Sequence, residues 1–95
     1  MEIKVQSIKF DADQKLLDFI DKKVQRLSKF LEIVSADVVL KLEENHQKTV
    51  QIKLLIPGNN LILSISSSTF EDSVCACTDK LKDMLVKAKG KKNKQ

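Results

Sequence analysis

Residues 68–95 read STFEDSVCACTDKLKDMLVKAKGKKNKQ, and the reading of this stretch decides the fold. At helical spacing, Phe70, Val74, Cys77, Leu81, Met84, Leu85 and Ala88 gather on about a third of the circumference, the apolar stripe of a helix laid on a core. Ser68 followed by Glu71 has the pattern of a capping box that starts it, and Gly90 is the expected C-terminal stop. From Lys80 onward the chain carries Lys80, Lys82, Lys87, Lys89, Lys91, Lys92 and Lys94 against one acid, Asp83. This local excess is larger than the net charge of +4 for the whole chain. On the wheel Lys80, Lys87 and Lys91 flank the stripe on one side and Lys82 and Lys89 on the other. Lysines in a last turn complement the helix dipole and keep a small protein soluble. As a set they also form the electrostatic footprint of a polyanion-binding surface, nucleic acid before an anionic membrane, because Cys77 and Ala88 size the stripe for a protein core rather than for lipid.

Upstream of this helix the period changes to two. Val50, Ile52, Leu54 and Ile56 give the cleanest alternation in the chain, and a Pro57-Gly58-Asn59-Asn60 turn returns it through Leu61, Leu63 and Ile65. Residues 36–43 alternate in the same way, as do residues 2–7 with Ile3 and Val5 inward. Between those two strands, Leu16, Ile20, Val24, Leu27 and Leu31 recur at helical spacing, which predicts a helix of about twenty residues opened by Asp11 and Gln14 as a second capping box. The order is strand, helix, strand, strand, strand, helix. This predicts an α+β fold: a four-stranded sheet with the first two strands parallel, a meander after them, and both helices packed on one face. The open face carries Lys4, Gln6, Lys41, Gln51, Lys53 and Ser64, with Val39, Leu55 and Ile62 as apolar exceptions. The expected division is one domain over 1–90 and a basic tail over 91–95.

The first helix adds a second cationic surface. Lys15, Lys22, Arg26 and Lys29 cluster nearly opposite its buried stripe, while Lys23 lies nearer the core beside Phe19 and Phe30. A solvated face with pairs such as Asp18 with Lys22 is the plain alternative, worth a few tenths of a kcal/mol per pair. Composition is 42% hydrophobic and 32% charged, with two glycines and one proline, the balance of a compact domain rather than of disorder. Apolar runs are too short for a signal peptide or a membrane span, and Cys75 and Cys77, two apart on a helix, point away from each other, so a reducing cytoplasmic setting is expected. His46 has no neighbouring ligand set, the cysteines have no identified base, and there is no Gly-rich phosphate loop, so no metal, cofactor or enzymatic activity is expected.

Phe19-Ile20-x-x-Lys23-x-x-Arg26-Leu27-x-Lys29-Phe30, Val39-Leu40-Lys41-Leu42-Glu43 and Asp79-Lys80-Leu81 followed by Leu85, Lys87 and Lys89 together resemble the ribosome hibernation-promoting factors, also described as ribosomal subunit interface or sigma-factor modulation proteins. The resemblance runs over essentially the whole chain. It implies a fold similar to double-stranded RNA-binding domains, docked on small-subunit ribosomal RNA (rRNA) in the channel of messenger and transfer RNA, where it idles the ribosome. Lys22, Lys23, Arg26, Lys29, Lys80, Lys82, Lys87, Lys89 and Lys91 are the expected rRNA contacts, and the isolated protein is expected to be a monomer with no membrane or small-molecule partner. Asp83 stands where the family commonly has arginine and Cys75 where it often has Asp, and the usual Tyr near the start of the helix is absent. A short form, without the C-terminal dimerisation domain of long members, is expected. The other readings are a general structured-RNA-binding module and a protein-binding regulator of the sigma-modulation type.

Overall fold

The computed structural model describes residues 1–93, with side chains through Lys89; the side chain of Lys91 and the end of the tail lie outside the described residues. Strand β1 (Glu2–Ile8) leads through helix α1 (Gln14–Gln25) and a 3-10 turn (Arg26–Lys29) to β2 (Ser35–Leu42). A short turn (Glu44–His46) joins β2 to β3 (Lys48–Ile56), followed by β4 (Asn59–Ser67) and α2 (Phe70–Asn93). The sheet order is β1-β2-β3-β4, parallel between β1 and β2 and antiparallel thereafter. The expected β-α-β-β-β-α fold is the one observed.

The period-two pattern places every second residue of each strand under the helices. Val5, Val38, Ile52 and Leu63 form one transverse row, and Ile3, Ala36, Leu54 and Leu61 the next. Against these rows pack Leu16, Ile20 and Val24 of α1, Leu27 of the 3-10 turn, and Phe70, Val74, Cys77, Leu81 and Leu85 of α2, all buried. The central residues Ile20, Val24, Val50, Ile52, Leu54 and Leu81 are fully enclosed. Burial of this continuous apolar surface, rather than helix propensity, holds both helices on the sheet.

Four local expectations are corrected. Asp13, not Asp11, caps α1: its backbone is extended, and its Oδ1 accepts from Leu16 N at 2.8 Å. Phe10 is thereby free to stack on Phe70, with ring centroids 4.6 Å apart. The predicted long first helix ends its α-helical part at Gln25 and tightens into the 3-10 turn, which delivers Leu27 to the core and leaves Leu31 half-buried in the link to β2. Thr69, not Ser68, caps α2: its Oγ1 accepts from Asp72 N at 3.0 Å, while the backbone carbonyl of Ser68 accepts from Lys48 Nζ at 3.3 Å. Gly90 does not stop α2, which runs to Asn93; no proline follows, and a glycine inside a helix costs only about 1 kcal/mol relative to alanine.

One buried polar link ties α2 to the sheet. Ser73, fully buried, donates to Lys48 O at 2.7 Å and shares a hydroxyl contact of 2.7 Å with Ser67. It fixes the first turn of α2 over the end of β4. Cys77, one turn further, donates to Leu63 O at 3.6 Å, so α2 runs back along β4.

Candidate polyanion-binding cleft

The cleft grows out of the way the two helices share one sheet face. Because α1 narrows into a 3-10 turn where it passes α2, the helices leave a groove of about 410 Å³ between them. Its first wall is Lys23, Arg26, Leu27, Lys29 and Phe30, and its second is Thr78, Asp79 and Lys82 of α2. Leu27 and Thr78 are buried and close the floor. The Thr78 hydroxyl is spent within α2, donating to Val74 O at 2.9 Å, so the floor offers no free hydroxyl there.

Two of the four cations, Lys23 and Lys82, stand on aromatic supports. Lys23 Nζ lies 5.7 Å from the Phe19 ring centroid and Lys82 Nζ 5.4 Å from that of Phe30. Such contacts hold an ammonium against a ring face without neutralising it. Among the described residues none of the four cations has a carboxylate within 4 Å, and the one ion pair is Lys41 with Glu43 at 3.6 Å, on the open face of the sheet. The Asp18–Lys22 pair of the plain alternative does not form, and Asp18 accepts from Gln14 Nε2 at 2.9 Å instead. Unpaired positive charge along a concave wall raises the local potential and favours an extended anion.

The nine expected contact residues are thus divided by the fold. Lys23, Arg26, Lys29 and Lys82 meet in the cleft. Lys89 lies two turns beyond Lys82 on the same flank of α2, and Lys22 stands on the exposed back of α1 just outside. Lys80 and Lys87 are exposed on the opposite flank of α2, the side on which Ser73 meets Ser67 of β4. The Lys91 side chain lies outside the described residues. The sequence reading had no signal for Thr78 as floor or for Phe30 as the support of Lys82, since both depend on which flank of α2 faces α1.

Elsewhere, Lys9, Lys41, Glu43, Glu44 and Gln47 surround a shallow depression beside the β2–β3 link, where Lys9, Asn45 and His46 have positive φ. A hydrogen bond from Thr49 and the nearby Lys41 ammonium hold the Glu43 carboxyl below its ordinary pKa. Burial pushes the Cys77 thiol up to about 11. On the open face Leu55 and Ile62 are exposed and diagonal to each other, with Lys53 between, while Val39 is half-buried and apart from them. No helix among the described residues is long and apolar enough to cross a membrane.

A mixed four-stranded sheet with two helices on one face and a cationic cleft between them defines a small α+β protein of the β-α-β-β-β-α type. The chain belongs to the sigma 54 modulation protein / S30EA ribosomal protein family, whose pattern it matches over residues 3–93. A ribosome hibernation promoting factor of Pseudomonas putida is 29% identical over 92 residues, covering 96% of this chain and 89% of the relative. Among solved structures, the N-terminal domain of Protein Y from Thermus thermophilus aligns with a TM-score of 0.84 at 20% identity, over 92% of this chain and 98% of that one. A ribosomal subunit interface protein from Coxiella burnetii aligns equally well, at 20% identity over 95% and 99%. At that identity the two structures speak for the fold.

Proposed function

We propose that this protein is a ribosome hibernation factor that binds small-subunit rRNA through the inter-helix cleft and idles the ribosome by occupying the channel of messenger and transfer RNA. The observation that carries the reading is the cleft itself: Lys23, Arg26, Lys29 and Lys82 converge there without a carboxylate partner. Membership of the family and the name of the Pseudomonas putida relative support the ribosome as the polyanion.

The chemistry is that of occupancy. Arg26 offers a planar fork to a phosphate, Lys23 and Lys29 act as point charges along the same wall, and Lys82 faces them from the other. Lys89 extends the track along α2, and Lys22 adds to the surrounding positive field. With Phe19 and Phe30 engaged under lysines, neither ring is free to stack on a base, and the contacts of the cleft go mainly to phosphate and ribose. Specificity then comes from the shape of folded rRNA against the body of the domain. Cosedimentation with purified small subunits tests the reading: a variant with Lys23, Arg26, Lys29 and Lys82 all changed to alanine loses binding while its circular dichroism is unchanged. Equal binding by that variant overturns the cleft as the site. Binding of duplex RNA as tightly as of small subunits favours the general RNA-binding reading instead.

A further inference from the structure

Strand β4 is an unguarded edge. It has β3 on one side and no strand on the other, and from Asn59 to Thr69 it contains no charged residue and no proline. Its pairing with β3 is continuous from Ile56–Asn59 to Lys48–Ser67, with no bulge. The other edge, β1, carries Glu2 and Lys4. Charge, proline and bulges are the usual devices that keep a foreign strand from adding to an edge, and β4 has none of them.

The turn determines which groups are open. The two-residue Pro57-Gly58 loop makes Ile56 and Asn59 a hydrogen-bonded pair, and alternate pairs after it exchange bonds, Ile52 with Leu63 and Val50 with Ile65 among them. Leu55 O accordingly faces the other way and accepts from Val34 N at 2.8 Å. The N–H and C=O groups of Ile62, Ser64 and Ser66 therefore point outward from the sheet. Above this edge, on the helical side, runs the flank of α2 that carries Lys80 and Lys87, both exposed and, among the described residues, neither within 4 Å of a carboxylate. Seven residues of helix separate the two by about 10 Å, the span of roughly three residues of extended chain.

We propose that the β4 edge binds an extended acidic peptide as a fifth strand, its backbone pairing with Ile62, Ser64 and Ser66 and its carboxylates meeting Lys80 and Lys87. The incoming strand also covers Leu61, Leu63 and Ile65, which the single domain leaves half-exposed. A second copy of the chain suits the edge less well, because antiparallel pairing of two β4 strands brings two rims of the same sign together. The site lies on the far flank of α2 from the cleft.

The probe is a fluorescein-labelled peptide of alternating Glu and Val, matched to the nine residues of β4. It is titrated by fluorescence anisotropy and mapped by amide chemical shifts. The expected result is saturable binding with shifts centred on Ile62, Ser64 and Ser66. Methylating alternate peptide amides along one edge, which keeps charge and side chains, weakens binding by about tenfold or more. Lys80→Glu together with Lys87→Glu weakens it by about tenfold and admits a Lys-Val peptide. The peptide modifications leave the protein untouched, so misfolding cannot imitate their effect. Several results overturn the proposal: no binding, equal binding of the methylated peptide, or shifts confined to the inter-helix cleft. A protein that sediments as a dimer with its β4 amides already protected assigns the edge to a second copy, and displacement of the peptide by a single-stranded RNA oligonucleotide assigns it to RNA.

Discussion

Removing Arg26 and Lys82 together halves the positive charge of the cleft, and the consequence is best read as a salt dependence. Four cations line the cleft without carboxylate partners. If each neutralises one phosphate, log affinity falls with log salt at a slope of about −3, using the single-strand value of roughly 0.7 per phosphate. Raising salt from about 50 to about 200 mM then weakens binding by roughly fifty-fold. Arg26→Ala with Lys82→Ala leaves two phosphate contacts, a slope near −1.4, and a loss of about sevenfold over the same range. Lys89 and Lys22, if they also reach phosphates, steepen the first slope toward about −4 without changing the direction of the difference. Labelled protein titrated with small subunits at several salt concentrations gives both slopes. The open sheet face supplies the control, since Lys4→Ala with Lys53→Ala removes as much charge from outside the cleft and leaves the slope unchanged. If the cleft variant kept the parent slope, or the sheet variant lost as much, binding would follow net charge and not the cleft.

Leu81→Ala is expected to lower stability by about 2–5 kcal/mol in urea denaturation, in the upper half because the site is enclosed by both the sheet and α1; a loss below about 1 kcal/mol contradicts this packing. Ser73→Ala removes the hydroxyl that ties α2 to Lys48 O, while the Ser67 hydroxyl keeps Thr69 O, and is expected to cost about 0.5–1.5 kcal/mol, seen first as faster amide exchange in the opening turn of α2. Thiol reagents at pH 8 should label Cys75 and spare Cys77 until the protein unfolds. Since folding raises the Cys77 pKa from 9.0 to about 11, its stabilising contribution is complete below pH 9 and is lost as pH rises through 11. The difference in stability between the parent and Cys77→Ala should shrink over that interval, and a difference independent of pH contradicts the assignment.

The sheet and the burial of both helices are legible in the sequence because each face has to be apolar at its own period. A one-residue slip in β3 would turn Val50, Ile52 and Leu54 to solvent, so the pattern fixes the register. The caps are less legible. Ser66-Ser67-Ser68-Thr69 offers four consecutive hydroxyls, and the choice of Thr69, whose Oγ1 meets Asp72 N, rests on where the chain leaves β4 and turns into α2. Ser73 reads as polar on a helical wheel, and only its two partners on β3 and β4 explain its burial. The cleft is half legible: both cationic rims of α2 are visible as rims, but which of them faces α1 depends on the docking angle of the helices. The division of Lys82 from Lys80 is therefore a property of the tertiary structure.

The central claim is occupancy of the messenger and transfer RNA channel by a domain gripping rRNA through its cleft. The most direct measurement titrates labelled protein against empty ribosomes and against ribosomes pre-filled with messenger and initiator tRNA, with the cleft variant in parallel. The account predicts tight binding to empty ribosomes, strong protection by pre-filling, and weak binding of the variant to both. Equal binding of the parent protein to empty and filled ribosomes would contradict it.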